Sequence, residues 1–284
     1  MVQPVSVIIP TYNRRNFLEK AVNSVIDQTL ANHEIIVVDD GSTDDSYDFV
    51  QSCGGQVRYI YQGNQGPAAA RNAGIRAARY PLLAFLDSDD WFAPHKLETQ
   101  SKVMTANPGF MISHTEEIWY RQGKYLNQKK KHRKSEGNIF ADSLKICSVS
   151  MSTVMAKSRL FEMVGLFDED LPCCEDYDFW LRVSSRFPFK KVAEALTFKE
   201  GGRPDEVSAL YRLGMDKYRI NSILKLLTTE KLSEEQRSLA GAELARKCRI
   251  YGRGCHKHGR PEEGDFYLEL GRRAEQGSVI ACSS

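Results

Sequence analysis

No stretch of this sequence approaches the ~20 consecutive apolar residues that a membrane-spanning helix needs, so helical membrane spans are not expected. Strand-like sequence begins by Val5, which leaves no room for a secretory leader, and none is expected. The seven cysteines are an odd number without framework spacing. That argues against a disulfide scaffold and for free thiols in a reducing compartment. The expected location is therefore cytoplasmic, with a peripheral contact at the inner face of the membrane left open. A formal net charge of +2 is too near balance to argue for a nucleic-acid partner, and none is expected. Neither standard Gly-rich phosphate loop is present, nor a His-Glu-x-x-His helix, nor a Gly-x-Ser-x-Gly elbow. Cys248, Cys255, His256 and His258 match no structural-zinc spacing, and the cysteines read as buried on a helix face.

What remains is the composition of a folded globular protein, 42% hydrophobic and 27% charged. Its 284 residues make one large or two modest domains. The most informative stretch runs from Leu82 to Trp91. Five apolar residues, Leu82 to Leu86, read as a buried strand and stop at Asp87-Ser88-Asp89-Asp90. Carboxylates this close repel unless a cation or hydrogen-bond donors neutralise them. Hard oxygen donors favour Mg²⁺ or Mn²⁺. The plainer alternative has Asp87 and Asp90 capping the next helix and Asp89 solvated; of the three, Asp90 is the one read as a helix cap before Pro94.

Around this stretch the chain alternates strand and helix. Val5–Ile9 is a β-branched run ended by Pro10, followed by Thr11-Tyr12-Asn13, with Asn13 as the expected N-cap of a helix over Arg15–Gln28. Glu34–Val38 is a second strand ending at Asp39-Asp40, after which Ser42 or Thr43 is expected to cap a helix. Val57–Tyr61 is a third strand, and Ala68–Ala78 an alanine-rich helix carrying Arg71. Four strand–helix alternations with short links imply a parallel sheet with right-handed crossovers. Further on, Pro94–Thr105 reads as helix, Phe110–Tyr120 and Ser152–Ala156 as strands, and an amphipathic helix begins with Glu175-Asp176. The run Lys129-Lys130-Lys131-His132-Arg133-Lys134 reads as a solvated loop, with an anionic acceptor or lipid phosphates as the functional alternative. Helical patterns over Asp205–Leu227, Ser233–His258 and Pro261–Ala274 form a C-terminal appendage, so the expected division is residues 1–202 and 203–284.

Strand ends thus supply Thr11-Tyr12, Asp39-Asp40 and Asp87-Ser88-Asp89. An aromatic ring offers a stacking face for a base. A carboxylate accepts from a base N–H or a ribose hydroxyl, and an Asp-x-Asp pair holds a divalent ion against a diphosphate. Tyr12 as packing and Asp39 and Asp40 as turn formers stay open as the plain readings of each motif alone.

In order and spacing these motifs resemble the family 2 glycosyltransferases of the GT-A fold, over Val5 to about Val183. They are Val5 to Arg14, Glu34 to Asp44, Ala70-Arg71-Asn72-Ala73-Gly74, Leu86 to Asp90, and Glu175-Asp176-Tyr177-Asp178. The resemblance implies an α/β GT-A fold, a Rossmann-like mostly parallel sheet flanked by helices. It implies an inverting, metal-dependent transfer of sugar from a nucleotide-diphosphate donor, UDP-sugar first, to an acceptor hydroxyl in cell-surface polysaccharide, lipopolysaccharide or glycoconjugate synthesis. Pro10, Thr11, Tyr12, Arg14 and Asp39 would hold base and ribose, with Asp40, Arg71 and Ser88 lining the same pocket. Asp87 would reach the ribose or sugar and, with Asp89, the metal, Mn²⁺ or Mg²⁺. Asp176 would be the general base, with Glu175 orienting it or the acceptor. The implied partners are the donor and a carbohydrate or glycolipid acceptor. A homodimer through the C-terminal helices is a further expectation.

One departure stands out. Arg203 occupies the place where many relatives carry a metal-binding histidine, and arginine cannot ligate a cation, although it pairs well with a diphosphate. Two other readings are disfavoured. A Mg²⁺ phosphatase using Asp-x-Asp is disfavoured by Trp91 and Phe92 where a Thr or Val belongs, and by the pair's arrival on the fourth strand. A non-catalytic nucleotide-sugar-binding or partner-binding module with a transferase-like fold is disfavoured by the intact acids.

Overall fold

The computed structural model describes residues 2–128, 132–203, 206–211 and 213–277. Lys129 to Lys131 of the basic run, and Asp205 at the start of the first expected C-terminal helix, lie outside them. The chain packs as two compact units. The first comprises Met1–Asn138, Ser148–Pro172 and Phe187–Arg203; the second comprises Ile139–Cys147, Cys173–Arg186 and the described residues of 204–284.

Among the described residues, the first unit is built on one nine-stranded sheet. Its strands are β1 (Val5–Thr11), β2 (His33–Asp39), β3 (Val57–Tyr61), β4 (Leu82–Phe85), β5 (Asp90–Phe92), β6 (Ile112–Arg121), β7 (Lys124–Leu126), β8 (Val154–Lys157) and β9 (Phe189–Gly201). The order is β3-β2-β1-β4-β8-β6-β9-β5, with β7 on β6. The first four strands pair in parallel. Beyond β4 the sheet is mixed: β8 runs antiparallel to β4 and β6, β9 parallel to β6, and β5 antiparallel to β9. Helices α1 (Arg15–Ile26), α2 (Ser46–Ser52), α3 (Pro67–Ala77), α4 (Lys96–Ala106) and α6 (Arg159–Val164) belong to this unit, and α5 (Phe140–Lys145) to the second.

Alternation along β1 explains how both faces are covered. Val5, Val7 and Ile9 pack with Leu18, Ala21, Val22 and Val25 of α1 in one apolar cluster. Ile8 points to the other face, where α3 comes so close that a Cβ on Gly74 would sit 2.3 Å from Ile8 Cγ2. Gly74 therefore sets the approach of α3, the helix that carries Arg71, to the sheet.

Three local expectations are corrected. Asn13 is not the cap of α1; Arg14 holds that position, and Asn13 sits at φ 49 with its Oδ1 accepting from Thr43 N at 2.7 Å. Neither Ser42 nor Thr43 caps α2, because Asp45 precedes it and Ser42 Oγ accepts from Asn13 N at 2.9 Å. Both side chains are spent lacing the β1–α1 turn to the β2–α2 turn. Asp90 is not a helix cap either. It is buried in β5, and His95 precedes α4.

Lys134, expected in a solvated loop, is buried with its Nζ 3.4 Å from Glu117 Oε1 and donating to Ser148 O at 3.2 Å. Tertiary pairing has overridden the local charge pattern there. Arg133 stays exposed.

The second unit is helical. It joins α5 and α7 (Glu175–Ser184) to α8 (Val207–Leu210), α9 (Met215–Thr229), α10 (Glu234–Lys257) and α11 (Pro261–Glu275). The helix expected over Asp205–Leu227 is broken at Gly214, whose φ of 117 only glycine adopts readily. Ser233 caps α10 in a reciprocal pair with Gln236, and Pro261 opens α11. Leu244, Cys248 and Cys255 of α10 are buried with Tyr177 and Leu181 of α7 and Tyr267 of α11. A Cβ on Gly252 would meet Gly264 O at 2.8 Å, so α10 and α11 touch backbone to backbone at these glycines. No described helix is long and apolar enough to cross a membrane.

Candidate functional site

Strands β2, β1 and β4 are neighbours in the sheet, and Thr11 and Asp39 are register partners at the ends of β1 and β2. The polar residues read from three separate motifs therefore share one edge, the C-terminal end of the parallel strands. This is where open α/β sheets place their ligands.

Pro10 and Thr11 close β1. Thr11 Oγ1 is buried and, among the described residues, has no hydrogen-bond partner. Such a buried orphan hydroxyl is unfavourable unless something else satisfies it. Tyr12 presents a ring that is 47% exposed. Asp39 is buried, with Oδ1 accepting from Ser42 N and Oδ2 from Tyr59 Oη, each at 2.7 Å. A carboxylate has about four lone-pair positions, so acceptor capacity is left for a ligand. Burial, followed by the bond to Asp39, pushes the Tyr59 hydroxyl up, so it stays a donor.

Asp40 behaves differently. Its Oδ1 accepts from Gln62 Nε2 at 2.7 Å and Gln65 N at 2.9 Å, and its Oδ2 from Gly66 N at 2.8 Å. The carboxylate is engaged by the loop that leads into α3.

The turn after β4 is tight, with Asp90 N donating to Asp87 O at 2.9 Å. Ser88 is buried in it. Asp87 Oδ1 accepts from Arg71 Nη2 at 2.8 Å. Burial works to raise the Asp87 carboxyl, but Arg71, Lys199 and Arg14 outweigh it and hold the group below the usual range. Asp89 accepts from Arg14 Nη1 at 2.5 Å and also pairs with Arg203 Nη2, while keeping its side chain 16% exposed. Asp90 faces inward, where its Oδ2 accepts from Ser152 Oγ at 2.6 Å and lies 3.6 Å from Lys199 Nζ. Ser152 Oγ also accepts from Asp87 N at 3.0 Å, so one hydroxyl ties the two acids together.

Asp87 and Asp89 supply hard oxygen donors, the right chemistry for Mg²⁺ or Mn²⁺. They are only two, and both are ion-paired. Among the described residues no group of three or more His, Cys, Asp and Glu gathers as a metal cage. The pair suits a cation that brings phosphate oxygens and waters of its own.

Glu175 and Asp176 belong to the second unit, in the first turn of α7, where acids suit the helix dipole. Cys174 precedes them in the left-handed region, at φ 66. Glu175 is buried and Asp176 half-buried. Asp176 Oδ1 accepts from Tyr177 N at 2.6 Å, and Oδ2 from Cys147 Sγ at 3.2 Å. Burial first, then the Asp176 charge, drives the Cys147 thiol well above its ordinary range, so it remains a neutral donor to that carboxylate.

Sequence reasoning missed Lys199, Ser152 and Cys147. No local signal marks them: Lys199 lies on a strand over a hundred residues from Asp90, and Ser152 and Cys147 are ordinary polar residues in irregular sequence. A surface cleft of about 540 Å³ lies along α1 and β5, lined by Asn16, Lys20, Trp91 and Phe92 among others, and holds none of the expected site residues.

Comparisons with known proteins converge. The profile of Glycosyl transferase family 2 matches residues 6–162. An uncharacterized glycosyltransferase of Rickettsia bellii is 42% identical over 185 residues, covering 64% of this chain and 26% of the relative. A UDP-Glc:alpha-D-GlcNAc-diphosphoundecaprenol beta-1,3-glucosyltransferase of Escherichia coli, WfaP, is 31% identical over 192 residues, covering 64% of this chain and 70% of the relative. This chain thus spans only about a quarter to a third of the length of the first curated relatives it matches. Among solved structures, S. aureus TarS superposes with a TM-score of 0.69 at 17% identity, covering 97% of this chain and 88% of TarS. A mannosyltransferase of Pyrobaculum calidifontis, solved with GDP-Man and Mn²⁺, gives 0.65 at 16% identity, covering 100% of this chain and 77% of the other. These likenesses show the fold, GT-A with C-terminal helices.

Proposed function

The chain belongs to glycosyl transferase family 2, and from that membership we propose that it moves a sugar from a nucleotide-diphosphate donor to an acceptor hydroxyl, inverting the anomeric carbon, with Mn²⁺ or Mg²⁺ as cofactor. The observation that carries the reading is the convergence of Thr11, Asp39, Asp87 and Asp89 at one edge of three adjacent parallel strands. A UDP-sugar is the proposed donor, supported by WfaP, whose name carries UDP-Glc.

In this reading the exposed Tyr12 ring stacks on the base. Asp39 accepts from the base or ribose, and the orphan Thr11 hydroxyl gains a partner. Asp87 stays ionised beside Arg71 and accepts from ribose or sugar hydroxyls. Asp89, with Asp87, holds the divalent cation, whose chemistry is Lewis-acid stabilisation of the charge that grows on the diphosphate. Asp176 takes the acceptor proton, a contribution typically of ~10²–10⁴-fold, and Tyr177 N and the Cys147 thiol hold its carboxylate in place. Glu175 orients the base or the acceptor. The acceptor is a carbohydrate or glycolipid of cell-surface polysaccharide, lipopolysaccharide or glycoconjugate synthesis. Contact with the inner membrane face and pairing of copies through the C-terminal helices are attendant proposals.

A thermal-shift panel of UDP- and GDP-sugars with and without Mn²⁺ tests the donor. At a hundred times its Kd, a ligand of the native state adds ~2.7 kcal/mol of apparent stability. The expected outcome is a shift confined to one base and enlarged by Mn²⁺. No shift with any nucleotide sugar refutes the reading. Asp176→Asn should keep donor binding and lose transfer; normal turnover in that variant removes Asp176 from the role of base.

A further inference from the structure

Around the turn after β4 each carboxylate is matched by a cation. Asp87, Asp89 and Asp90 are ion-paired with Arg71, with Arg14 and Arg203, and with Lys199, so three carboxylates face four cations. A free divalent cation approaching Asp89 finds it already holding two guanidiniums. A diphosphate meets two planar forks whose geometry matches phosphate oxygens as well as carboxylate.

Both arginines are anchored independently of Asp89. Arg203 lies over the Phe17 ring, 4.4 Å from Cζ to centroid, and donates from Nη1 to Glu200 O at 3.0 Å. Arg14 occupies the N-cap of α1, its carbonyl accepting from Phe17 N at 3.0 Å and Leu18 N at 2.9 Å. Their backbones and the Arg203 plane thus stay at this edge when the carboxylate is given up.

We propose that Arg14 and Arg203 form the diphosphate-holding pair of the donor site, and that they screen Asp89 from divalent cations until a diphosphate draws them off, so that nucleotide binds before metal. The proposal rests on the donor reading above and adds to it an order of binding and a role for Arg203. In the exchange no covalent bond changes. The guanidiniums pass from a carboxylate to the diphosphate, the local charge turns negative, and Asp89 becomes open to a cation. By linkage, the factor by which nucleotide tightens metal binding equals the factor by which metal tightens nucleotide binding.

The test is titration of the full chain with Mn²⁺, followed by the paramagnetic signal of the free ion, alone and with UDP or GDP. Wild type should show no saturable site up to ~1 mM Mn²⁺ alone and acquire one when the nucleotide is added. Arg203→Gln should bind Mn²⁺ without nucleotide at least ~10-fold more tightly than wild type, a coupling within the usual range. Arg203→Lys, which keeps the charge, should resemble wild type with Mn²⁺ alone. Asp89→Asn, which removes the charge that holds both guanidiniums, should bind UDP or GDP without metal more tightly than wild type. The proposal is overturned if wild type binds Mn²⁺ equally well with and without nucleotide. It is overturned equally if Arg203→Gln gains no affinity for Mn²⁺ alone while still forming the nucleotide–Mn²⁺ complex. In either case the donor reading stands. If neither nucleotide binds wild type under any metal condition, the donor reading itself falls and takes the ordering with it.

Discussion

Replacing Asp40 separates a structural from a ligand-binding role at this edge. Its carboxylate takes three hydrogen bonds from the 62–66 loop, two of them from backbone N–H groups. Asp40→Ala strips all three acceptors. Loss of an acceptor leaves each donor short by ~1–3 kcal/mol. Gln65 and Gly66 are not buried, so water recovers part of this and the low end applies. Gln62, on a rotatable side chain, loses least. The sum is about 3 kcal/mol, which at ~2–4 °C per kcal/mol for a unit of this size is a fall in Tm of ~6–12 °C. Asp40→Asn keeps one oxygen for Gln62 and Gln65 but turns an NH₂ toward Gly66 N, so about half the loss is expected. The loop leads into α3, which carries Arg71, so nucleotide affinity should fall only modestly, by a few-fold. The assay is calorimetric melting of each variant beside nucleotide titration of the same sample. An unchanged Tm with a hundredfold loss of nucleotide affinity would refute the reasoning and return Asp40 to the ligand pocket.

Other outcomes follow from the same geometry. Lys96 is fully buried, donates to Gln100 Oε1 at 2.6 Å, and is held by burial down to about 7. The unfolded chain binds that proton up to about 10.5 while the folded chain releases it above about 7, so this group makes stability rise with pH across that window. Lys96→Met should flatten the rise in pH-dependent urea melts, and an unchanged slope would show that Lys96 is not the cause. Gly74→Ala should force α3 away from Ile8, costing ~1–3 kcal/mol as overpacking does and loosening the Arg71–Asp87 pair; urea denaturation reads the first and nucleotide titration the second. Lys134→Met leaves Glu117 buried without its cation, and a loss of ~3–5 kcal/mol is expected, measured by the same denaturation. A loss below ~1 kcal/mol would mean that Trp119 Nε1 and Ser150 Oγ, which donate to Glu117 at 2.8 and 3.0 Å, suffice to satisfy it.

Much of the first half of the fold was legible because its signals are local. A β-branched run such as Val5–Ile9 is a buried strand whatever surrounds it, and the spacing of Leu18, Val22 and Val25 marks the buried stripe of α1. The acids that end β2 and β4 fall at the sheet edge because a parallel sheet puts successive strand ends on the same side. Helix caps are less legible. Asn13, Ser42 and Thr43 have the chemistry of caps, but each found a better partner across the neighbouring turn, and residue type does not record that choice. Asp90 looked like the start of a helix and lies in a strand, because β9 supplies the pairing edge about a hundred residues later.

By itself the sequence determined which chemistry gathers at the strand ends, since the residue types, their order and the alternation of strand and helix suffice for that. Only the tertiary structure decided how those charges are matched. Asp89 meets Arg203 across 114 positions, Asp90 meets Lys199, Lys134 is drawn inward by Glu117, and Cys147 reaches Asp176. Such pairs leave no periodic trace, because a charge finds its partner through the fold of the backbone between them. It is that pairing which sets what an arriving ligand must displace.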